Sequence, residues 1–540
     1  MGFGIYLSKT NALIGHPNSL KKSFLPLTSN HISVEKWVFS FRLTFLTLFF
    51  LMSVTTGKAQ PDTIQIDRLL KSGSNYLFNA HEEQNNLDSA LFYFNQALTL
   101  SQTLHLNKWI NTCLEWKGIC FFQGEMADSA RTSFQKVIDY YHSKGDLASE
   151  ANTWKNLGDA ITQFDARFAP EKAASLENAY RLYWEIRDTI NAMESLKAAA
   201  DAHLYEPRLD ISEKELLTVL AVYKSMHYPY IYYTYDLLRV VSELKGDLVT
   251  EVSYVMEMIR SLDSADLKNR EDSMQAGRLY SYAGMSYAYA AMWDQALFFA
   301  RKGWNTLQFT DYDEEYFSRL SGLAIDLVRS DSAQTALQLI QESLKHRQLT
   351  SAFQKARITN ALGICYQALG EIKNAETEFS KILYILAKDK LPNEPRHLQG
   401  RQEMMIVNGN FYLTTHQYDK ASFYANRLPS EYTYLTTLGQ KARIELLKAR
   451  VDSVAGRYQS ALKHFALYQQ LNDSLFGIQK TAQIRALQIR YTLDKKDNDM
   501  LLQAANIQLL KKENEFQQLQ VGKSRNLRNM MSIALLFLLL

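Results

Sequence analysis

A step of twelve residues from a glycine to an alanine recurs four times: Gly118 to Ala130, Gly284 to Ala296, Gly363 to Ala375 and Gly409 to Ala421. An aromatic follows each glycine by three residues (Phe121, Tyr287, Tyr366, Tyr412), and Phe134 and Phe379 follow their alanines by four. Two further segments keep the second half of the pattern, Ala90, Phe94 and Ala97 near the start and Gly456, Ala461 and Phe465 near the end. Glycine inside a helix costs about 1 kcal/mol relative to alanine, so its return at one register signals a packing need. The physical reading is a pair of antiparallel helices whose backbones approach at small residues, with an aromatic filling the space beside the contact. One such pair cannot bury its own apolar face, so neighbouring pairs must stack.

Composition agrees with a repeating array. A chain of 540 residues exceeds what one core organises. With only 22 Gly and 9 Pro it is too poor in turn formers for a turn-rich β fold or a low-complexity chain. Gly370 and Gly456 stand where a first helix should stop and the chain turn back. The expectation is an all-α solenoid over 60–477, followed by a long helix over 478–528 and the start of a transmembrane helix over 529–540.

The segment Leu362 to Phe379 resembles the tetratricopeptide repeat (TPR): Leu-Gly, an aromatic three on, a turn glycine, then an alanine and an aromatic four later. The resemblance implies ten to twelve TPR-like units of about 34 residues between Gln60 and Phe476. The unit at Gly158, with Leu157 and Ile161, departs from the pattern. It has no alanine twelve residues on and is expected to carry a longer loop through Pro170, and residues 205–270 match poorly. In this family the exposed face of each first helix lines a concave groove, which by register turns Arg278, Ser281, Tyr289, Arg357, Asn360 and Gln367 toward a partner. The run Tyr228, Tyr230, Tyr232, Tyr233 and Tyr235 reads either as an aromatic binding strip or as helix packing.

The first 60 residues read as an export signal. Lys9, Lys21, Lys22, Lys36 and Arg42 oppose only Glu35 ahead of an uncharged apolar run from Leu43 to Val54. Gly57-Lys58-Ala59 fits a cleavage site, making 1–59 a signal peptide and Gln60 the mature start, with an uncleaved anchor as the alternative. No Gly or Pro interrupts Ile478 to Val521, so one continuous helix is expected there. Leu493, Met500, Ile507, Asn514 and Val521 recur every seven residues with Leu510 on the same side, which suits a homodimeric coiled coil or a lone amphipathic connector. The apolar run Met530 to Leu540 is too short to cross a bilayer and reads as a membrane span cut within itself. Lys523, Arg525 and Arg528 just before it lean toward a cytoplasmic flank, a tendency that long exported domains escape.

Taken together, this organisation resembles the exported TPR sensor region of bacterial membrane signalling proteins, in which repeats are joined by a helix and a membrane span to a histidine kinase or a DNA-binding regulator. The resemblance implies an inner-membrane protein with a periplasmic repeat domain acting as receptor. The alternative is an anchored scaffold without signalling output.

Charge and chemistry narrow the function classes. Sixty basic against 57 acidic side chains give no electrostatic reason to expect nucleic acid, and the repeat region is mildly acidic. The expected partner is a protein, a peptide or a cell-envelope component. Cys120 and Cys365 fall at the same place in two repeats and read as small buried hydrophobes. Cys113 and Cys120 lie about 10 Å apart along one helix, beyond disulfide reach, and no metal-ligand spacing flanks them. Gly522-Lys523-Ser524 lacks the upstream glycine of a phosphate loop, and no catalytic motif occurs elsewhere. No catalytic residue, cofactor or metal is expected.

Overall fold

The computed structural model describes residues 61–78, 84–161, 166–265, 270–307, 313–388, 395–428 and 436–539. The expected export signal over 1–59, the expected cleavage point before Gln60 and the terminal Leu540 lie outside them. The described residues contain twenty α-helices, one short 3-10 turn at Ala166–Phe168 and no strand. They divide into two compact units, one ending at Lys480 and the other beginning at Thr481.

The first unit is a stack of helix pairs. The first helix of each pair is α1 (Pro61–Phe78), α3 (Asn107–Gln123), α5 (Leu147–Ala160), α7 (Thr189–Tyr205), α9 (Tyr232–Lys245), α11 (Arg270–Tyr289), α13 (Asp313–Arg329), α15 (Ala352–Ala368), α17 (Pro395–Thr414) and α19 (Leu438–Val454). The second helices are α2 (Gln84–Thr103), α4 (Ala127–Lys144), α6 (Ala169–Glu185), α8 (Leu209–Ser225), α10 (Leu248–Asp263), α12 (Trp293–Leu307), α14 (Ala333–His346), α16 (Ile372–Lys388), α18 (Tyr418–Ala425) and α20 (Tyr458–Leu539). Most helices pack on the next in the chain, and several first helices also pack on the first helix of the following pair. This is a TPR-like α-solenoid, with one correction to its period. Successive first helices begin 38 to 46 residues apart rather than about 34, because most helices run 14 to 20 residues.

The glycine register marks close helix contacts. A Cβ added at Gly118 would stand 2.6 Å from Cε2 of Phe134, and one at Gly363 would stand 2.5 Å from Cε1 of Phe379. At Gly284 the obstacle is backbone, Ala296 O at 2.9 Å and Ala300 N at 3.0 Å, so α11 and α12 touch main chain to main chain. Gly409 instead accommodates Leu447 of the next pair, at 2.6 Å. Ala130, Ala296, Ala375 and Ala421 are buried beside these contacts, as are Phe134, Phe379, Tyr287 and Tyr412, while Tyr366 is half-buried. Burying a phenylalanine completely contributes about 1.5–3 kcal/mol, so each aromatic more than offsets the glycine that admits it.

Turns between helices take a left-handed residue, at φ +77° for Gly370 and +74° for Gly456. Between α3 and α4 that conformation falls on Glu125, whereas Gly124 has φ −86°. In the Gly158 pair Pro170 is not loop but first turn of α6. Leu176 meets Gly158 there, 2.6 Å from a Cβ at that position, and Lys172 occupies the place four residues before it where the other pairs carry alanine. The Lys172 ammonium is buried and donates to Gly158 O at 2.9 Å and Ile161 O at 3.0 Å, satisfying carbonyls at the end of α5. Residues 205–263 also form regular helices, without the glycine signature.

Helix α20 runs from Tyr458 to Leu539 with Gly477 inside it, so the second helix of the last pair and the expected connector are one element. Among the described residues no helix is long and apolar enough to cross a membrane. In the second unit Ile507, Leu510 and Val521 of the heptad row are exposed, as are Phe516 and Leu519.

Candidate partner-binding face

Stacking the first helices side by side leaves one flank of each turned away from its second helix, and that flank is polar. Side chains there reach from one pair to the next. On α5, Thr153 Oγ1 and Asn156 Nδ2 donate to Glu115 of α3 at 2.8 and 3.3 Å. Arg278 of α11 pairs with Glu315 of α13 at 3.2 Å, and Glu315 also holds Arg319 at 2.8 Å. Arg357 of α15 donates to Ser318 of α13, and Arg443 of α19 grips Glu403 of α17 with two bonds at 2.6 and 2.5 Å. Burial alone would raise the Glu403 carboxyl, but the Arg443 guanidinium outweighs it and holds it below its usual range. Glu115 has no such cation, and burial pushes it up to about 7 against its two hydrogen bonds.

The six residues nominated from the sequence divide by exposure. Arg278, Ser281 and Asn360 are buried. Arg278 is spent on Glu315 and Gln275. Ser281 bonds back to Gly277 O at 2.9 Å and faces Gly303 across the α11–α12 contact. Tyr289, Arg357 and Gln367 are half-buried. Arg357 lies over the ring of Phe353, 5.1 Å from its centroid. Of the six, the half-buried trio is what a partner can reach, and Arg357 there donates to Ser318 of α13.

One of these positions is already covered by the chain itself. Gln479 of α20 donates its Nε2 hydrogen to Tyr289 O at 2.7 Å, across 190 residues of sequence. Burial raises the Tyr289 phenol well above its ordinary pKa, with Glu243, Glu251 and Glu403 adding to the rise, so acidic groups of several pairs converge on this tyrosine. About six turns from its start, α20 therefore lies against the main chain at the end of α11. Nothing in the sequence pattern signals this contact, since it depends on how far the stack curves.

The middle of the stack buries charge without opening it to a partner. Glu194 holds Lys197 at 2.9 Å and accepts from the Tyr223 hydroxyl and, at 3.1 Å, from Tyr228. Tyr232, Tyr233 and Tyr235 are buried and Tyr223 stacks on Tyr228 at 4.1 Å, so the tyrosine run is helix packing. Asp236, Arg239 and Glu243 form a chain of pairs at 2.7 and 2.8 Å. Asp201 is fully buried, and neither of its oxygens has a hydrogen-bond partner among the described residues. Burial lifts it to about 8, with Lys172 and Lys197 pulling down and Asp236 pushing up. Cys113, Cys120 and Cys365 are free and buried, their thiols pushed up by burial to about 11, 12 and 12. Among the described residues, metal-ligating side chains of three residues converge at Glu177, His203 and Glu215, on α6 to α8.

No family model and no curated protein matches this chain. Solved structures similar to it are of low sequence identity. A tetratricopeptide repeat protein from Parabacteroides merdae is 14% identical, with a TM-score of 0.37 over 54% of this chain and 98% of that one. The apo quorum sensor NprR of B. thuringiensis is 11% identical, TM-score 0.39, over 76% and 98%. A Rap protein complexed with Competence and Sporulation Factor is 15% identical, TM-score 0.38, over 62% and 99%. The TPR-like solenoid is defined by the helix pairs themselves, and likeness at this level says nothing of a ligand.

Proposed function

We propose that the chain is the protein- or peptide-binding receptor region of a membrane-tethered sensor, exported to the periplasmic face of the inner membrane, and that the polar flank around Arg357, Gln367 and Tyr289 takes the partner. The observation that supports this most is the Gln479 contact with Tyr289, because it holds α20, about six turns from its start, against the end of α11. α20 then continues as one helix into the second unit, where an exposed apolar row is available for pairing with a second copy. A partner that competes with Gln479 for the flank biases α20 between two arrangements, which is what a bistable input element requires.

The test is a displayed peptide library panned on the chain, with affinities measured for wild type, Gln479→Ala and Arg357→Ala. Releasing α20 removes the cost of opening the flank, so Gln479→Ala binds selected peptides more tightly and Arg357→Ala more weakly. Equal affinities for all three would reject the flank as the site. Binding changed by Arg357→Ala but not by Gln479→Ala would favour an anchored scaffold without signalling.

A further inference from the structure

At the end of α7 the imidazole of His203 is 1% exposed and enclosed by three carboxylates. Its Nε2 lies 3.2 Å from Glu177 Oε1 of α6 and 3.8 Å from Glu215 Oε2 of α8. On the other side of the ring, Nδ1 lies 3.3 Å from Glu206 Oε1. Arg208 lies 3.5 Å from the far oxygen of Glu206, and Lys214 also acts on Glu215. His203 Nδ1, Glu206 Oε1 and Glu215 Oε2 are buried and make no hydrogen bond among the described residues, although the Glu206 side chain is only 10% exposed. Buried carboxylate oxygens without donors are costly, and three carboxylates around one imidazole leave negative charge in excess.

We propose that Glu177, His203 and Glu215 bind a divalent ion of the zinc class, with Glu206 orienting the imidazole from behind. Zinc sits about 2.0–2.2 Å from imidazole nitrogen and carboxylate oxygen, which puts ligand atoms around a tetrahedral ion roughly 3.4 Å apart. The three ligating atoms here lie within 4.8 Å of one another, so small side-chain rotations suffice. With the ion bound, Glu206, 3.3 Å from Nδ1, accepts the proton carried there and leaves the Nε2 lone pair for the ion, the arrangement usual behind metal-bound histidine. One nitrogen and two oxygens suit zinc or cobalt better than calcium or magnesium, which prefer all-oxygen shells. The half-exposed Glu177 marks the solvent side, where a water completes the shell. Because α6 belongs to one helix pair and α7 and α8 to the next, the ion ties two repeats together. His203 and Glu206, three apart in sequence, are the only part of this site with a local signal.

The experiment is calorimetric titration of the chelator-treated full chain with zinc sulfate, paired with cobalt absorption spectra and thermal melts. The expected result is one saturable ion per chain, a tetrahedral cobalt d–d band, and a melting temperature raised by zinc. His203→Ala and Glu215→Gln abolish all three, and Glu206→Gln weakens affinity about 10–100-fold with unchanged stoichiometry. Glu177→Gln, at a position that solvent already reaches, also weakens binding and keeps the outcome independent of folding. No saturable zinc binding by the wild type, or binding that survives His203→Ala and Glu177→Gln, overturns the proposal.

Discussion

Replacing glycine by alanine at two mid-helix positions should move stability in opposite directions. At Gly284 the added methyl carbon would meet Ala296 O at 2.9 Å, Ala300 N at 3.0 Å and Ala300 Cα at 3.4 Å, all backbone of α12. A flexible side chain could yield to it, but a helix backbone can move only by separating α11 from α12. Overpacking costs about 1–3 kcal/mol, and rigid obstacles belong at the upper end. Alanine returns about 1 kcal/mol of helix propensity, so Gly284→Ala should lose about 1–2 kcal/mol net. Gly322 of α13 has nothing within 4 Å of an added Cβ, so Gly322→Ala should gain about 0.5–1 kcal/mol. Urea unfolding followed by far-UV circular dichroism gives the order of the three proteins. Repeat arrays need not unfold as one unit, so hydrogen exchange of the α11 and α12 amides supplies the local reading. Two variants shifted in the same direction would refute the argument that the Gly284 register exists to let the backbones touch.

The three cysteines should stay unreactive toward a thiol reagent at pH 8 in the native chain and react together in denaturant, since burial holds their thiols at about 11, 12 and 12. Rapid labelling of Cys365 in the native protein would contradict that burial. Asp201, at about 8 in the folded chain against an ordinary value near 4, binds its proton more tightly folded than unfolded. Its contribution is therefore complete below about pH 4 and is lost as pH rises through 8, and Glu115 and Glu251, raised to about 7 and 8, act in the same direction. Melting temperature should fall between pH 5 and 8.5 and fall less in Asp201→Asn; identical slopes would remove Asp201 from the account. Ala291, at φ 55° between α11 and α12, occupies a conformation that costs a side-chain-bearing residue about 1–2 kcal/mol, and Ala291→Gly should raise stability by about 0.5–1 kcal/mol after the unfolded-state entropy is counted. A melting temperature unchanged or lowered by that substitution would count against the turn geometry.

The all-α repeat architecture was legible because its contacts are local. Gly363 and Phe379 lie sixteen residues apart across one turn, and that spacing is written directly into the chain. The Gly158 pair was obscure because its loop is longer and Lys172, not alanine, fills the contact. The period was underestimated for a related reason: glycine-to-alanine spacing measures the turn within a pair and is silent about the length of each helix beyond it. Face assignment by register is coarser still. It cannot separate Arg357, half-buried on the flank, from Ser281, which sits under α12 a few residues from the same line. Contacts assembled from distant elements, Gln479 on Tyr289 or Glu177 and Glu215 about His203, leave no periodic trace, because the curvature and stacking that join them are properties of many pairs at once.

Hydrogen exchange of the full chain, with and without a library-selected peptide, tests the central claim that partner binding on the polar flank and the seating of α20 are one equilibrium. The account predicts new protection in α11, α13 and α15 near Tyr289, Ser318 and Arg357, together with faster exchange in α20 around Gln479. Protection confined to the second helices, or unchanged exchange around Gln479 when the flank is occupied, would contradict it.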